Sequence, residues 1–198
     1  MARAHAWTGA AAGLLLTLAT AQGAAARPVV VSAVPADGAA PVEGAAEVGI
    51  WAMANGTPGQ HVAGGERLPA RLSLEPGRYR VMVRIQGARR VVDRTLAPGE
   101  TPERWRIGLD AGHVRLELRA EPGRTPVHSR LRWRVNRYKR GGDAGELVAE
   151  ATAARPRLLL DAGWYEVTVT HAGSEHDHII QVAPGEDVTY TVMAGEGS

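Results

Sequence analysis

The second half of this chain repeats the first. Leu74-Glu75-Pro76-Gly77-Arg78-Tyr79-Arg80-Val81 lines up with Leu160-Asp161-Ala162-Gly163-Trp164-Tyr165-Glu166-Val167, and Ala97-Pro98-Gly99-Glu100 with Ala183-Pro184-Gly185-Glu186. Tyr79 to Tyr165 is an offset of 86 (165 − 79). Pro41 to Pro126, inside the matching stretches 29–42 and 114–127, is 85 (126 − 41). An offset held from one end of the unit to the other means a duplicated module near the lower end of domain size. The expected modules are residues 28–111 and 112–198, and each must bury a core of its own.

Within a module the dominant signal is alternation broken by turns. Val114, Leu116 and Leu118 alternate with Arg115, Glu117 and Arg119. Leu131, Trp133 and Val135 alternate with Arg130, Arg132, Arg134 and Asn136. Tyr165, Val167 and Val169 alternate with Glu166, Thr168 and Thr170. The first module has the same design in Tyr79, Val81, Val83 and Ile85, and again in Trp105, Ile107 and Leu109. Turns fall at Glu121-Pro122-Gly123, Gly141-Gly142-Asp143, Asp161-Ala162-Gly163 and Ala183-Pro184-Gly185. Only Leu147 to Ala154 offers a short helical turn. Short strands with one apolar face suit an all-β fold: two tandem β-sandwiches, each of two antiparallel sheets with six or seven strands in all. In Leu74-x-Pro76-Gly77-x-Tyr79-x-Val81, Pro-Gly supplies a turn, with glycine free to take a positive φ. Tyrosine then starts an inward row with its hydroxyl in reach of a backbone group.

Residues 1–26 have the form of a secretory signal peptide. Arg3 and His5 precede an apolar stretch from Ala10 to Ala21, followed by Ala-x-Ala sites at Ala19-Thr20-Ala21 and Ala24-Ala25-Ala26. The apolar stretch is too short to serve as a mature membrane span, and no later segment approaches ~18 continuous apolar residues. A periplasmic or secreted protein is expected, which removes nucleic acid as a natural partner. The chain has no cysteine. It therefore has no disulfide, no thiol nucleophile and no acylated N-terminal cysteine, and stability rests on apolar burial.

The formal net charge of +2 conceals an uneven distribution. From His113 to Arg140, Arg115, Arg119, Arg124, Arg130, Arg132, Arg134, Arg137, Lys139 and Arg140 face only Glu117 and Glu121. From Gly141 onward the balance reverses, with Arg155 and Arg157 among many carboxylates. Either the acidic strands pair with the basic ones when the module closes, or a cationic surface is left.

Leu-x-Pro-Gly-x-Tyr-x-Val, then a hairpin, Val-Ala-Pro-Gly-Glu and a closing alternating strand resemble the transthyretin-like β-sandwich modules of bacterial envelope proteins. The carboxypeptidase regulatory-like and PEGA-type domains belong to this group. The chain departs from that pattern after the tyrosine strand, where Gln86-Gly87-Ala88 and Ala172-Gly173-Ser174 stand in place of Gly-Tyr. The resemblance implies a non-enzymatic accessory or adhesion role and no active-site residues.

Three groups of residues have chemistry to offer. His171, His176 and His178 flank a hairpin; if residues 172–175 form its turn, strand parity gathers the imidazoles on one face, where three or four nitrogen and oxygen ligands suit zinc. The plain alternative is a polar hairpin tip, with no cofactor. Arg130, Arg132 and Arg134 line up at period two, next to Arg115 and Arg119 if those strands pair, and such a row can hold phosphates or carboxylates by forked hydrogen bonds. Its alternative is a solvated face partly neutralised by Glu117. Trp164, out of phase with Tyr165, is the tryptophan expected to be exposed and free to stack on a sugar. There is no Gly-x-Ser-x-Gly, no His-Glu-x-x-His and no phosphate-cradling glycine loop. The leading expectation is a non-enzymatic exported binding or scaffold protein that presents sheet edges and loops to an envelope protein or a glycan. The alternatives are metal binding by the histidine hairpin and polyanion or glycan binding. Oligomeric state is not legible.

Overall fold

A computed structural model describes residues 25–141 and 145–194. The expected leader falls almost wholly outside them, and the Gly141-Gly142-Asp143 turn falls partly outside. The first half forms β1 (Arg27–Val34), β2 (Gly44–Ala54), β3 (Thr57–Leu68), β4 (Ala70–Leu74), β5 (Gly77–Ile85), β6 (Ala88–Leu96) and β7 (Glu103–Gly108). The second forms β8 (Ala111–Arg119), β9 (Leu131–Arg137), β10 (Leu147–Ala153), β11 (Arg157–Asp161), β12 (Gly163–His171), β13 (Ser174–Val182) and β14 (Asp187–Met193). Among the described residues there is no helix. The alanine-rich stretch at 147–153 is an edge strand, because pairing with β9 satisfies its backbone and outweighs helix propensity.

The four sheets are ordered β4-β1-β7, β3-β2-β5-β6, β11-β8-β14 and β10-β9-β12-β13. Adding seven to each strand number of the first pair gives the second pair, so both sandwiches share one topology. They differ from the wholly antiparallel expectation in one respect. β7 runs parallel to β1, and β14 parallel to β8. Each module's last strand crosses from the four-stranded sheet and enters beside the start of its first strand. Arg27 fixes that entry in the first module: it pairs with Glu103 at 2.9 Å and donates to the carbonyls of Thr101 and Ala97.

Inward rows interdigitate between the sheets. Val29, Val31, Trp105 and Ile107 meet Ile50, Val81 and Val83 in the first core. Leu116, Leu118 and Val192 meet Trp133, Val135, Tyr165 and Val167 in the second. The repeated tyrosines behave as expected. Tyr79 donates to the carbonyl of Glu75, and Tyr165 to that of Asp161 at 2.7 Å. Both bonds span four residues and lock the crossing between sheets. The glycine of the motif does not have the expected role. Gly77 does not take a positive φ. A Cβ built on it would lie 3.6 Å from the Tyr79 ring, an ordinary packing distance, so neither φ nor space requires glycine at this position. Tyr165→Phe should cost about 1 kcal/mol, the usual net value of one such hydrogen bond, read as a lower denaturant midpoint with an unchanged slope.

Glu117 is the one buried carboxylate in the described residues. Burial pushes its pKa up, but hydrogen bonds from Arg119 and Thr191 and the charges of Arg119 and Arg155 pull it down, and the net direction is down. A depressed carboxylate stabilises fully above its unfolded pKa of about 4.3, and that stabilisation is lost as pH falls through the lower folded value. Thermal melts should therefore show a smaller drop between about pH 5 and pH 3 for Glu117→Gln than for the parent.

Candidate functional site

The histidine hairpin has a tighter turn than residues 172–175. Ala172 and Gly173 alone make it, with φ of 51° and 85°, the left-handed pair that matches strand twist. His176 pairs with Val169, and His178 with Val167. The turn is shorter by two residues, so parity is kept, and all three histidines lie on the row of Val167 and Val169. They nevertheless spread along the sheet end. Among the described residues no group of three or more His, Cys, Asp or Glu side chains is placed to hold a metal ion.

The five arginines do not form one surface. Arg115 and Arg119 project from β8, in the three-stranded sheet, while Arg132 and Arg134 project from β9 in the opposite sheet; Arg130 lies in the loop before β9. The two outer faces look away from each other. Arg119 is committed to Glu117 at 2.8 Å. Arg132 approaches Glu150 at 3.5 Å, and Arg134 lies directly across from Glu150. Among the described residues, Arg119 and Arg132 are the two of the five with a carboxylate within 4.0 Å, and the partner of Arg119 lies on its own strand. Strand partners, which the sequence alone left undetermined, divide the arginines between two sheets.

Trp164 is 52% exposed on the outer face of the β10-β9-β12-β13 sheet. The Tyr138 backbone N–H donates to the Trp164 carbonyl at 2.9 Å, which makes these two aromatics cross-strand neighbours. The adjoining row of that face holds Leu147, Asn136, Glu166 and Ile179. Of these, Leu147 and Ile179 are exposed.

A junction between the modules was not legible beforehand. Only Leu109 and Asp110 connect β7 to β8, and they are pinned on both sides. The Leu109 N–H donates to Val34 and the Ala111 N–H to Pro35; the Ala162 N–H donates to Asp110 and the Gly185 N–H to Ala111. The β5–β6 turn docks against β11. The Gly87 N–H donates to the Leu159 carbonyl at 3.1 Å, and the Gln86 side-chain oxygen accepts from the Leu159 N–H at 2.5 Å. Asp161 accepts from the Arg89 N–H at 3.0 Å, and Arg90 pairs with Asp110 at 2.7 Å. Leu159 belongs to the first module's apolar core. The exposed backbone of β11 is thus satisfied by the neighbouring module.

Beside this contact lies a groove of about 550 Å³, with Glu47, Met82, Arg84 and Arg89 on one wall and Arg137, Glu146, Leu147 and Asp161 on the other. A shallower depression of about 490 Å³ adjoins it on the first module, around Trp51, His61, Gly49, Gly64 and Glu66. Glu47 and Met82 line both. The two depressions therefore form one track across the junction. Trp51 carried no local signal that set it apart. The clue was the glycines around it, Gly49, Gly64 and Gly65, which are unusual inside strands and mark close backbone approach.

No protein-family model matches the chain, and no curated protein does. Several solved structures show distant likeness. The Bacillus anthracis TIE protein matches at TM-score 0.34 and 14% identity, over 85% of this chain and 34% of that one. The minor pilin of Streptococcus agalactiae matches at TM-score 0.39 and 12% identity, over 85% and 94% of the two chains. The shaft pilin SpaA of Lactobacillus rhamnosus GG matches at TM-score 0.37 and 9% identity, over 87% and 99%. The chain spans about a third of the TIE protein's length. Likenesses this distant say nothing of what the chain binds.

Proposed function

We propose that this is a non-enzymatic, exported binding protein whose two sandwiches act as one unit and engage an extended polymer, polypeptide or polysaccharide, along the junction track. One observation carries the reading: Glu47 and Met82 line both depressions, so a single surface runs from the first module onto the second. The adjacent carboxylates Glu186 and Asp187 have structural partners. Glu186 accepts from the Ala183 N–H at 3.0 Å, and Asp187 pairs with Arg157 at 2.8 Å. The test uses the mature protein immobilised beside a Met82→Arg variant, each exposed to envelope extract and to a panel of polysaccharides. A ligand held by the parent and lost by the variant is expected. Equal retention by both proteins would contradict the assignment.

A further inference from the structure

We infer that Trp51 is a stacking platform for a neutral polysaccharide that runs along this track; the inference rests on the junction reading above. The indole lies along β2 over Gly49. A Cβ at Gly49 would come within 2.7 Å of Trp51 Cζ3 and closer still to Cη2, so only glycine lets the ring settle on the backbone. His61 fixes its edge at 5.2 Å between ring centroids, in a T-shaped contact. The far end of the indole is thus held against the sheet, and the half-buried ring lines the depression. Gly64 and Gly65 keep the ground beside it free of side chains, and Glu47, Glu66 and His61 rim the depression with polar groups.

A flat, pre-positioned aromatic face with polar groups around it matches the chemistry of a pyranose ring. Axial C–H groups pack on the ring while equatorial hydroxyls reach the rim. The repeat supplies a second pair of exposed aromatics, Tyr138 and Trp164, at nearly the equivalent level of the second module's corresponding sheet. Trp51 pairs with Arg80 and Asn136 with Glu166, so Trp51 occupies the place of Asn136. Asn136 stands one row from Tyr138 and Trp164. The groove that adjoins Trp51's depression offers Arg84, Arg89 and Arg137 against Glu47, Glu146 and Asp161. Arg84 approaches Glu47 at 3.8 Å, and Arg137 approaches Asp161 at 3.5 Å. Cations and carboxylates are balanced, which favours a neutral chain over a polyanion.

Affinity electrophoresis of the mature protein through gels containing hydroxyethyl cellulose, laminarin or alginate tests this directly. Retardation by a neutral polysaccharide is expected, unchanged by added salt because no ion pairs form with the ligand. Trp51→Ala should weaken it about tenfold, with Trp51→Phe intermediate. Trp164→Ala, at an exposed site that leaves folding intact, should also weaken it. No retardation by either neutral polymer, or retardation unchanged in both alanine variants, would overturn the inference. So would retardation by alginate alone that salt abolishes. A protein partner lost in Met82→Arg but kept in Trp51→Ala would overturn the sugar platform while leaving the junction reading intact.

Discussion

Trp133→Ala is expected to unfold the second sandwich well before the first. The side chain is fully buried at the centre of the second core, and its indole N–H donates to the Ala153 carbonyl at 3.0 Å. Removing it leaves a large cavity and an unpaired carbonyl on the edge strand β10. Losses of this type run to about 3–5 kcal/mol. That is a large part of the stability of a module this size, which lies within a total of about 5–15 kcal/mol for a typical domain. Calorimetry should show one transition for the parent and two for the variant, with the first moved to lower temperature. A variant with one unshifted transition would mean that Trp133 is not a core residue of an independent sandwich.

The second large effect is expected at Gly87. A Cβ there would lie 2.6 Å from Leu160 Cδ2 and 2.9 Å from Val148 Cγ1, both on the other module. Gly87→Val therefore wedges the docked hairpin away from β11. The hydrogen bonds of Gln86 and Gly87 to Leu159 should be lost with it. Overpacking of this kind costs about 1–3 kcal/mol. The sharper readout is loss of coupling: the two modules should melt separately although each core is intact. Hydrogen exchange should also accelerate at Leu159. A variant that melts as one unit at the parent's midpoint would show that the contact adds nothing.

What the sequence disclosed follows the range of the interactions. Alternation is local, so the rows of Val114, Leu116 and Leu118 or of Tyr165, Val167 and Val169 could be read directly, and all are buried. The tyrosine corners were legible for the same reason, since each closes over four residues. The histidine face survived an error in turn length because a shift of two residues preserves parity. Sheet membership is not local. Arg115 and Arg132 look alike along the chain, yet their strands lie in opposite sheets, and no nearby residue reveals it. The parallel pairing of β1 with β7 was hidden likewise. The junction is the extreme case. Gly87 and Leu160 are ordinary residues until distant segments bring them into contact, and the track beside them exists only because they meet. Trp51 could have been flagged from its glycine neighbours, but its platform depends on Gly64 and His61 arriving from β3.

The central claim is that the two sandwiches are held as one body with a fixed track between them. The chain has no native cysteine, so two introduced thiols can carry spin labels without background. Labels at Thr95 and Thr152, both on outer faces of the four-stranded sheets, would report the distance between modules by pulsed electron resonance. The account predicts one narrow distance distribution, broadened by Gly87→Val. A broad or multimodal distribution in the parent protein would mean that the modules move independently, and the track across the junction would not exist as a site.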